Sequence, residues 1–187
     1  IIIPNIWPTN NNDTNDKDID FLWVSNFREL KHPDWFIKLA KDNPLYKFTM
    51  VGGRYDKGLY EACEKEAANI PNLKFLGGKP FNEVNEIFTH ARCFVCTSTM
   101  EGFPNTFLQA WSNNIPVLST FAPSDIIQKH NLGTLVTEYE EMNENIPQII
   151  DSKNYNEKQK AIKKYFADAH SPENMYYKLM QMLDIRQ

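Results

Sequence analysis

Apolar and polar positions change period along this chain in a regular way. Short apolar runs, of the kind that form strands buried on both faces, alternate with stretches whose apolar residues recur every three or four positions, the spacing of an amphipathic helix. The runs fall at residues 19–25, 46–51, 73–76, 92–97, 115–119 and 134–137. Helical spacing predicts helices over 33–42, where Trp35, Phe36 and Leu39 share a face, over 57–69, and over 80–90, where Val84, Ile87 and Phe88 form the buried stripe. Further helices are expected over 105–112, briefly over 124–129, and at about 142–150, 157–169 and 172–183. Strands alternating with helices predict a parallel, doubly wound sheet: an α/β, Rossmann-like three-layer αβα sandwich with a six-stranded parallel sheet. Ligands of such sheets bind beyond the carboxyl ends of the strands. The loops to inspect are therefore 26–32, 52–57, 77–79, 98–105 and 120–124. Two of them open on glycine pairs, Gly52-Gly53 and Gly77-Gly78, where a ligand can approach the backbone.

Composition narrows the function classes. The 187 residues are 42% hydrophobic, which suits one domain with its own core. The net charge is −4 and no block of five Lys or Arg occurs, so nucleic acid is not an expected partner. No run of about 18 apolar residues predicts a transmembrane segment, and no signal peptide is visible. The first residue is not Met, which reads as a piece of a longer chain. Residues 10–18 form an Asn/Asp-rich loop. Asp16, Asp18 and Asp20 have the spacing that opens a calcium loop, but no Gly follows at the sixth position and Phe27 stands at the twelfth, so no metal is expected. Cys93 and Cys96 spell C-x-x-C inside a predicted strand, where residues three apart face opposite ways, so neither zinc nor redox chemistry is expected. Three cysteines form no disulfide framework and fit a cytoplasmic protein. Neither G-x-G-x-x-G nor G-x-x-x-x-G-K-[ST] occurs.

The stretch from Thr97 to Trp111 carries the densest chemistry. A buried strand delivers Glu101, the chain turns at Gly102, and a helix follows. Pro104 fits only at or before the first helical turn, where a missing N–H costs nothing. The amides of residues 105–107 are then expected to point outward, unpaired, at the carboxyl edge of the sheet, an arrangement that favours an anion. Spacing alone is equally compatible with an ordinary strand-to-helix connection bearing an exposed acid.

The stretch resembles the E-x7-E segment of retaining GT-B glycosyltransferases of family 4. Glu101 falls on the first acid, which in that family contacts the donor sugar. Gln109 falls on the second, which holds the ribose; this is a departure that keeps a carbonyl acceptor and loses the charge. Val24 to Pro33 is similar to the family's V-G-R-L-x-x-x-K-G segment. Lys31 matches the Lys that grips the diphosphate. Asn26 replaces the Arg, and Arg28 stands two residues on as a substitute. Phe75-Leu76-Gly77 resembles the F-x-G strand end whose backbone holds the base, and further matches at 110–111, 115–119 and 133–136 extend the resemblance over residues 20–150.

The resemblance implies a metal-independent hexosyltransferase of polysaccharide biosynthesis. It would move a sugar from a nucleoside diphosphate, UDP or GDP first, to a saccharide or lipid-linked acceptor, with no cofactor. Glu101 is implied as the catalytic residue. Lys31, with Asn26 and Arg28 beside it and the turn and helix end formed by Gly102, Phe103, Pro104, Asn105 and Thr106, is implied to hold the diphosphate; Gly77 marks the base site and Gln109 the ribose. Ile2-Ile3-Pro4-Asn5 looks like the piece where the family's chain leaves its first domain. Residues 1–18 are then an interdomain remnant and 19–187 the carboxyl-terminal, donor-binding half. The acceptor domain is missing, and the isolated half is expected to be inactive. The whole enzyme is expected in the cytoplasm, at the inner face of the membrane. The alternatives are a non-catalytic sugar-nucleotide-binding module and a GT-B-fold sugar-nucleotide epimerase.

Overall fold

The computed structural model describes residues 7–8 and 17–182. The strands are β1 (Ile19–Val24), β2 (Phe48–Val51), β3 (Leu73–Phe75), β4 (Ala91–Cys96), β5 (Val117–Ser119) and β6 (Gly133–Leu135). They form one parallel sheet in the order β3-β2-β1-β4-β5-β6. Helices α1 (Pro33–Asp42), α2 (Lys57–Ala67), α3 (Phe81–Thr89), α4 (Asn105–Ser112), α5 (Ile126–His130), α6 (Tyr139–Ile149), α7 (Ser152–His170) and α8 (Pro172–Met182) complete it. The expected doubly wound α/β sandwich is the observed one.

Strand alternation explains the layering. Phe21, Trp23, Phe48, Met50, Cys93, Val95 and Leu118 face one side and pack against α1, α2 and α6 through Phe36, Leu39, Tyr60, Met142 and Ile146. Leu22, Val51, Phe94, Cys96 and Val117 face the other and meet Val84, Phe88, Phe107, Trp111, Ile127, Ile162 and Phe166 from α3, α4, α5 and α7. A sheet apolar on both faces must be covered on both, and crossover helices do that. Cys93 and Cys96 thus lie in different layers, on opposite faces as their spacing predicts, and both are buried free thiols.

Several element edges differ from expectation. Strand β2 starts at Phe48, β3 ends at Phe75, β5 starts at Val117 and β6 ends at Leu135, each shorter than its apolar run, although single hydrogen bonds run on past these edges, to the Lys47 and Pro116 carbonyls (3.0 Å each) and from the Leu76 and Val136 amides (2.9 Å each). Helix α7 starts five residues before the expected 157, at Ser152, because the Asp151 carboxylate accepts from the Lys153 amide (3.2 Å) and caps it. Helix α6 starts at Tyr139, a turn early, and tolerates Pro147 near its end. Ser124 and Asp125 adopt positive φ (52° and 55°), so the expected helix over 124–129 begins only at Ile126, after a 3-10 turn at Pro123–Asp125. The loop after β1 also contains a 3-10 turn, Glu29–Lys31. The interdomain reading of residues 1–18 falls largely outside the described residues. Asp20 is engaged by the Lys47 amide (2.8 Å) and by Arg92 (3.2 Å), which ties the entry of β1 to β4.

The sheet order leaves β1 beside β4, with crossovers leading away in opposite directions from the two strands. A crevice necessarily opens beyond their carboxyl ends.

Candidate functional site

That crevice is a cleft of about 630 Å³. Its walls are the loops after β1, β2, β3 and β4, together with the first turn of α4. Of the charged side chains lining it, Arg28, Lys31 and Lys79 are cations and Glu101 is the single carboxylate. Three positive groups against one negative give a cationic cleft in a protein whose net charge is −4.

The loops after β1 and β4 are fastened to one another. The Trp23 indole, buried on β1, donates from Nε1 to Thr97 Oγ1 (3.0 Å), and the Thr97 hydroxyl in turn donates to the Lys31 carbonyl. The Thr99 amide donates to the Leu30 carbonyl (3.1 Å). Lys31 Nζ pairs with Glu101 Oε1, which also accepts from Ser98 Oγ (2.9 Å). Ser98 is held from behind, its carbonyl accepting from Thr120 Oγ1 (2.8 Å). Both ends of the ion pair are therefore fixed by their loops, and with exposures of 13% and 21% the pair is shielded without being sealed. Thr97 and Ser98 open the stretch singled out in the sequence, yet nothing there distinguishes their hydroxyls from ordinary loop polarity.

Helix α4 begins where Pro104 predicts. Pro104 is its N-cap residue, at φ −67° and ψ 121°. The amides of Asn105 and Thr106 have no acceptor among the described residues and lie at the cleft wall. The Phe107 amide does not join them: it donates to the Pro104 carbonyl (3.0 Å), because the helix opens on a tight turn. The outward set is thus two amides, at 105 and 106, one fewer than expected. Partial positive charge still collects at this end.

The remaining residues singled out from the sequence divide. Asn26 and Arg28 line the cleft. Gly102 is exposed and outside the lining, with nothing within 4 Å of an added Cβ. Phe103 turns its ring away, to Trp111 and His170 (centroids 6.3 and 5.9 Å). Gly77 is not in the wall; it takes φ +65° and its carbonyl accepts from the Gly52 amide (3.0 Å), leaving Gly78, Lys79 and Pro80 to face the cleft. Gln109 is 5% exposed and donates from Nε2 to Asn85 Oδ1 on α3 (2.7 Å), outside the lining. The sequence places Gln109 one to two helical turns beyond Glu101 but does not show which neighbour it reaches.

The glycine pairs also resolve. A Cβ on Gly52 would stand 1.9 Å from the Ser25 carbonyl oxygen, so the close approach there is between two loops of this chain. Lys79, at the end of a loop marked for inspection, faces the cleft and is paired with Glu83 at 3.3 Å.

Comparison with known proteins adds ancestry to geometry. The family described as Glycosyl transferases group 1 matches residues 9–168. An uncharacterized glycosyltransferase of Methanocaldococcus jannaschii is 34% identical over 106 residues, covering 54% of this chain and 25% of that protein. Among solved structures, the pneumococcal O-GlcNAc transferase GtfA, in complex with UDP and GlcNAc, superimposes with a TM-score of 0.74 at 17% identity, covering 99% of this chain and 40% of GtfA. The C-terminal domain of a glycosyl transferase group 1 family protein (LpcC) of Francisella tularensis superimposes with a TM-score of 0.68 at 20% identity, covering 89% of this chain and 96% of that domain. At these identities the structural likeness is one of fold. The chain spans a quarter of its archaeal relative and two fifths of the pneumococcal enzyme.

Proposed function

Because the chain belongs to the group 1 glycosyl transferases, we propose that its cleft binds a nucleoside-diphosphate sugar and that the chain is the donor-binding half of a retaining hexosyltransferase. The observation that carries this reading is the convergence, at the crevice between β1 and β4, of Lys31, two unpaired helix-end amides and one carboxylate.

Each group has a task in that chemistry. As the bond from the sugar's anomeric carbon to the phosphate oxygen breaks, its electron pair leaves with the diphosphate. Cationic and N–H donors fixed in advance stabilise that charge where it forms. Lys31 and the amides of Asn105 and Thr106 are so placed, and the Thr106 hydroxyl adds a donor at the same wall. Glu101, beside Lys31, accepts hydrogen bonds from donor-sugar hydroxyls and orients the ring. These groups require no metal. Gly78 and the backbone around it form the far wall, where the base lies. A saccharide or lipid-linked acceptor, docked on the rest of the longer protein, takes the sugar on the face the diphosphate leaves. The whole enzyme works in the cytoplasm, at the inner face of the membrane; among the described residues no helix is long and apolar enough to cross one. GtfA, crystallised with UDP and GlcNAc, supports a UDP-sugar first.

One observation favours the non-catalytic alternative: Gln109 is neutral, buried and bonded to Asn85. Titration of this chain with UDP, GDP and ADP, wild type beside Lys31→Ala, tests the binding claim. Preferential binding of one nucleotide, weakened by Lys31→Ala, is the expected result; no binding by any at millimolar concentration overturns it. In the full-length protein, Glu101→Ala should abolish sugar transfer, and unchanged turnover would favour the non-catalytic module.

A further inference from the structure

Behind the cleft, segments far apart in the chain meet through aromatic rings. Phe103 stands two residues after Glu101 and two before Asn105, and its ring packs on Trp111 and His170 (centroids 6.3 and 5.9 Å). His170 is the last residue of α7 and is 2% exposed, and its Nε2 lies 3.1 Å from the Tyr165 hydroxyl. Its ring also meets those of Tyr165, Phe166 and Trp111 (5.4, 5.9 and 6.5 Å). The same histidine meets the segment ahead of β1. The Trp7 amide donates to the His170 carbonyl (3.3 Å), and the Trp7 indole packs edge-on to Phe81 (5.8 Å). Phe81 opens α3 and follows Gly78, Lys79 and Pro80, which form the cleft wall after β3. Phe81, Trp7, His170 and Phe103 thus run as a row of contacts from the loop after β3 to the turn after β4.

None of the four lines the cleft, so each acts on it through a neighbour. Rings in a close-packed cluster settle in specific tilted or edge-on arrangements, and a ring shifted at one end moves the next. The turn after β4 needs such support. Gly102 has nothing within 4 Å of an added Cβ, so Glu101 receives none from the residue that follows it. Phe103, one residue on, ties the turn to buried groups. Misplacing such groups by about 1 Å costs on the order of 100-fold in rate where they act on a bound substrate.

We propose that His170 and Trp7 are positioning residues of this cleft. His170 seats Phe103 and thereby sets Glu101 and the amides of Asn105 and Thr106; Trp7 joins that seat to the wall after β3. The claim deepens the donor-binding reading and rests on it for the ligand, while the packing stands independently.

The test uses this chain with whichever of UDP, GDP and ADP binds it, and with the corresponding nucleoside. His170→Leu is expected to weaken the diphosphate about fivefold and to leave the nucleoside within about twofold, because the turn it supports faces the phosphates. Added to Phe103→Leu, it should cost nothing further. Phe103→Leu, at a half-buried position, should show the same split by itself and decides the matter should His170→Leu not fold. Trp7→Ala should weaken nucleoside and diphosphate alike, by about threefold, because Phe81 then loosens the wall where the base lies; Trp7→Phe, which keeps a ring against Phe81, should restore most of the affinity. Thermal unfolding establishes that each variant is folded at the assay temperature. Unchanged affinity in folded His170→Leu overturns the assignment, as does an equal loss for nucleoside and diphosphate, which would mean a general loosening of the chain. Additive losses with Phe103→Leu overturn the route through Phe103, and no recovery in Trp7→Phe overturns the role of the Trp7 ring. Lys31→Ala distinguishes the two levels: if it weakens the diphosphate and His170→Leu does not, this proposal alone fails. If wild type binds no nucleotide, the donor-binding reading fails, and the amide resonances of Asn105 and Thr106 decide the packing claim. His170→Leu should move them, and unmoved resonances overturn it.

Discussion

At the scale of the residue, the site is organised by which charges are already spoken for. Lys31 and Glu101 neutralise each other across the two loops. A ligand anion therefore competes with a carboxylate for the same ammonium. Glu101→Gln removes that competitor and should tighten free nucleoside diphosphate about fivefold, a gain of ~1 kcal/mol, while depressing sugar transfer in the full-length protein. Calorimetric titration of the variant with UDP checks the first part, and a weaker or unchanged affinity would contradict it. The cysteines give a second expectation. Burial pushes the Cys63 thiol from 9.0 up to about 11, the carboxylates of Asp34 and Glu66 adding to the effect, and burial raises Cys93 and Cys96 as well. At pH 8 the native protein should hold about one Cys63 in a thousand as thiolate, so a thiol reagent should label it slowly, and all three rapidly in denaturant. Because the folded form keeps its proton to higher pH, this contribution to stability is fully present below about 9 and is lost as pH rises through about 11. Urea unfolding at pH 8 and pH 10.5 should show the decline.

At the scale of the element, loop packing matters more than loop flexibility. The turn after β2 passes so close to the turn after β1 that a methyl on Gly52 would overlap the Ser25 carbonyl and press on the Phe27 ring (2.9 Å). Gly52→Ala should cost about 2–4 kcal/mol and weaken nucleotide binding by displacing Asn26 and Arg28. Equilibrium urea denaturation measures the first effect; a loss below 1 kcal/mol would mean that the loops yield. The order of strands and helices was legible in the sequence because both faces of the sheet are buried and every strand is correspondingly apolar. The exact edges were not, because an apolar side chain does not show how far its backbone keeps the paired register, which ends at Phe75 and Leu135. The start of α7 was available in principle from Asp151, a capping residue ahead of an amphipathic run. The start of α4 could be placed from Pro104, whereas Lys31 and Glu101 were legible as site residues only through the family resemblance. The direction of Gln109 could not be placed, since residues on α3 and in the cleft lie within reach of the same helical position. The seat of Phe103 on His170 was equally hidden, because it joins two segments that only the packing of α7 against α4 brings together.

At the scale of the whole molecule, two apolar layers share one sheet. Trp23 belongs to one and Trp111 to the other. Since β1 and β4 contribute to both layers, neither can loosen without exposing the other's strands. Unfolding should follow a single transition, with far-UV dichroism and the fluorescence of variants retaining only Trp23 or only Trp111 giving coincident midpoints. Separate midpoints would show that the layers melt independently. The overall charge and the cleft charge also oppose each other, −4 against a lining of three cations and one carboxylate. Nucleotide affinity should therefore fall as salt is raised from about 50 to 500 mM, whereas thermal stability should hardly change.

The winding of the sheet places the cleft where crossovers diverge, so its polar groups come from connections and from one helix tip. The strands supply mainly the floor. Such a division separates two kinds of position, those that build the scaffold and those that line the cleft. A side chain such as Lys79, on the connection after β3, can therefore change the lining of the cleft without touching the strand interior that holds the molecule together.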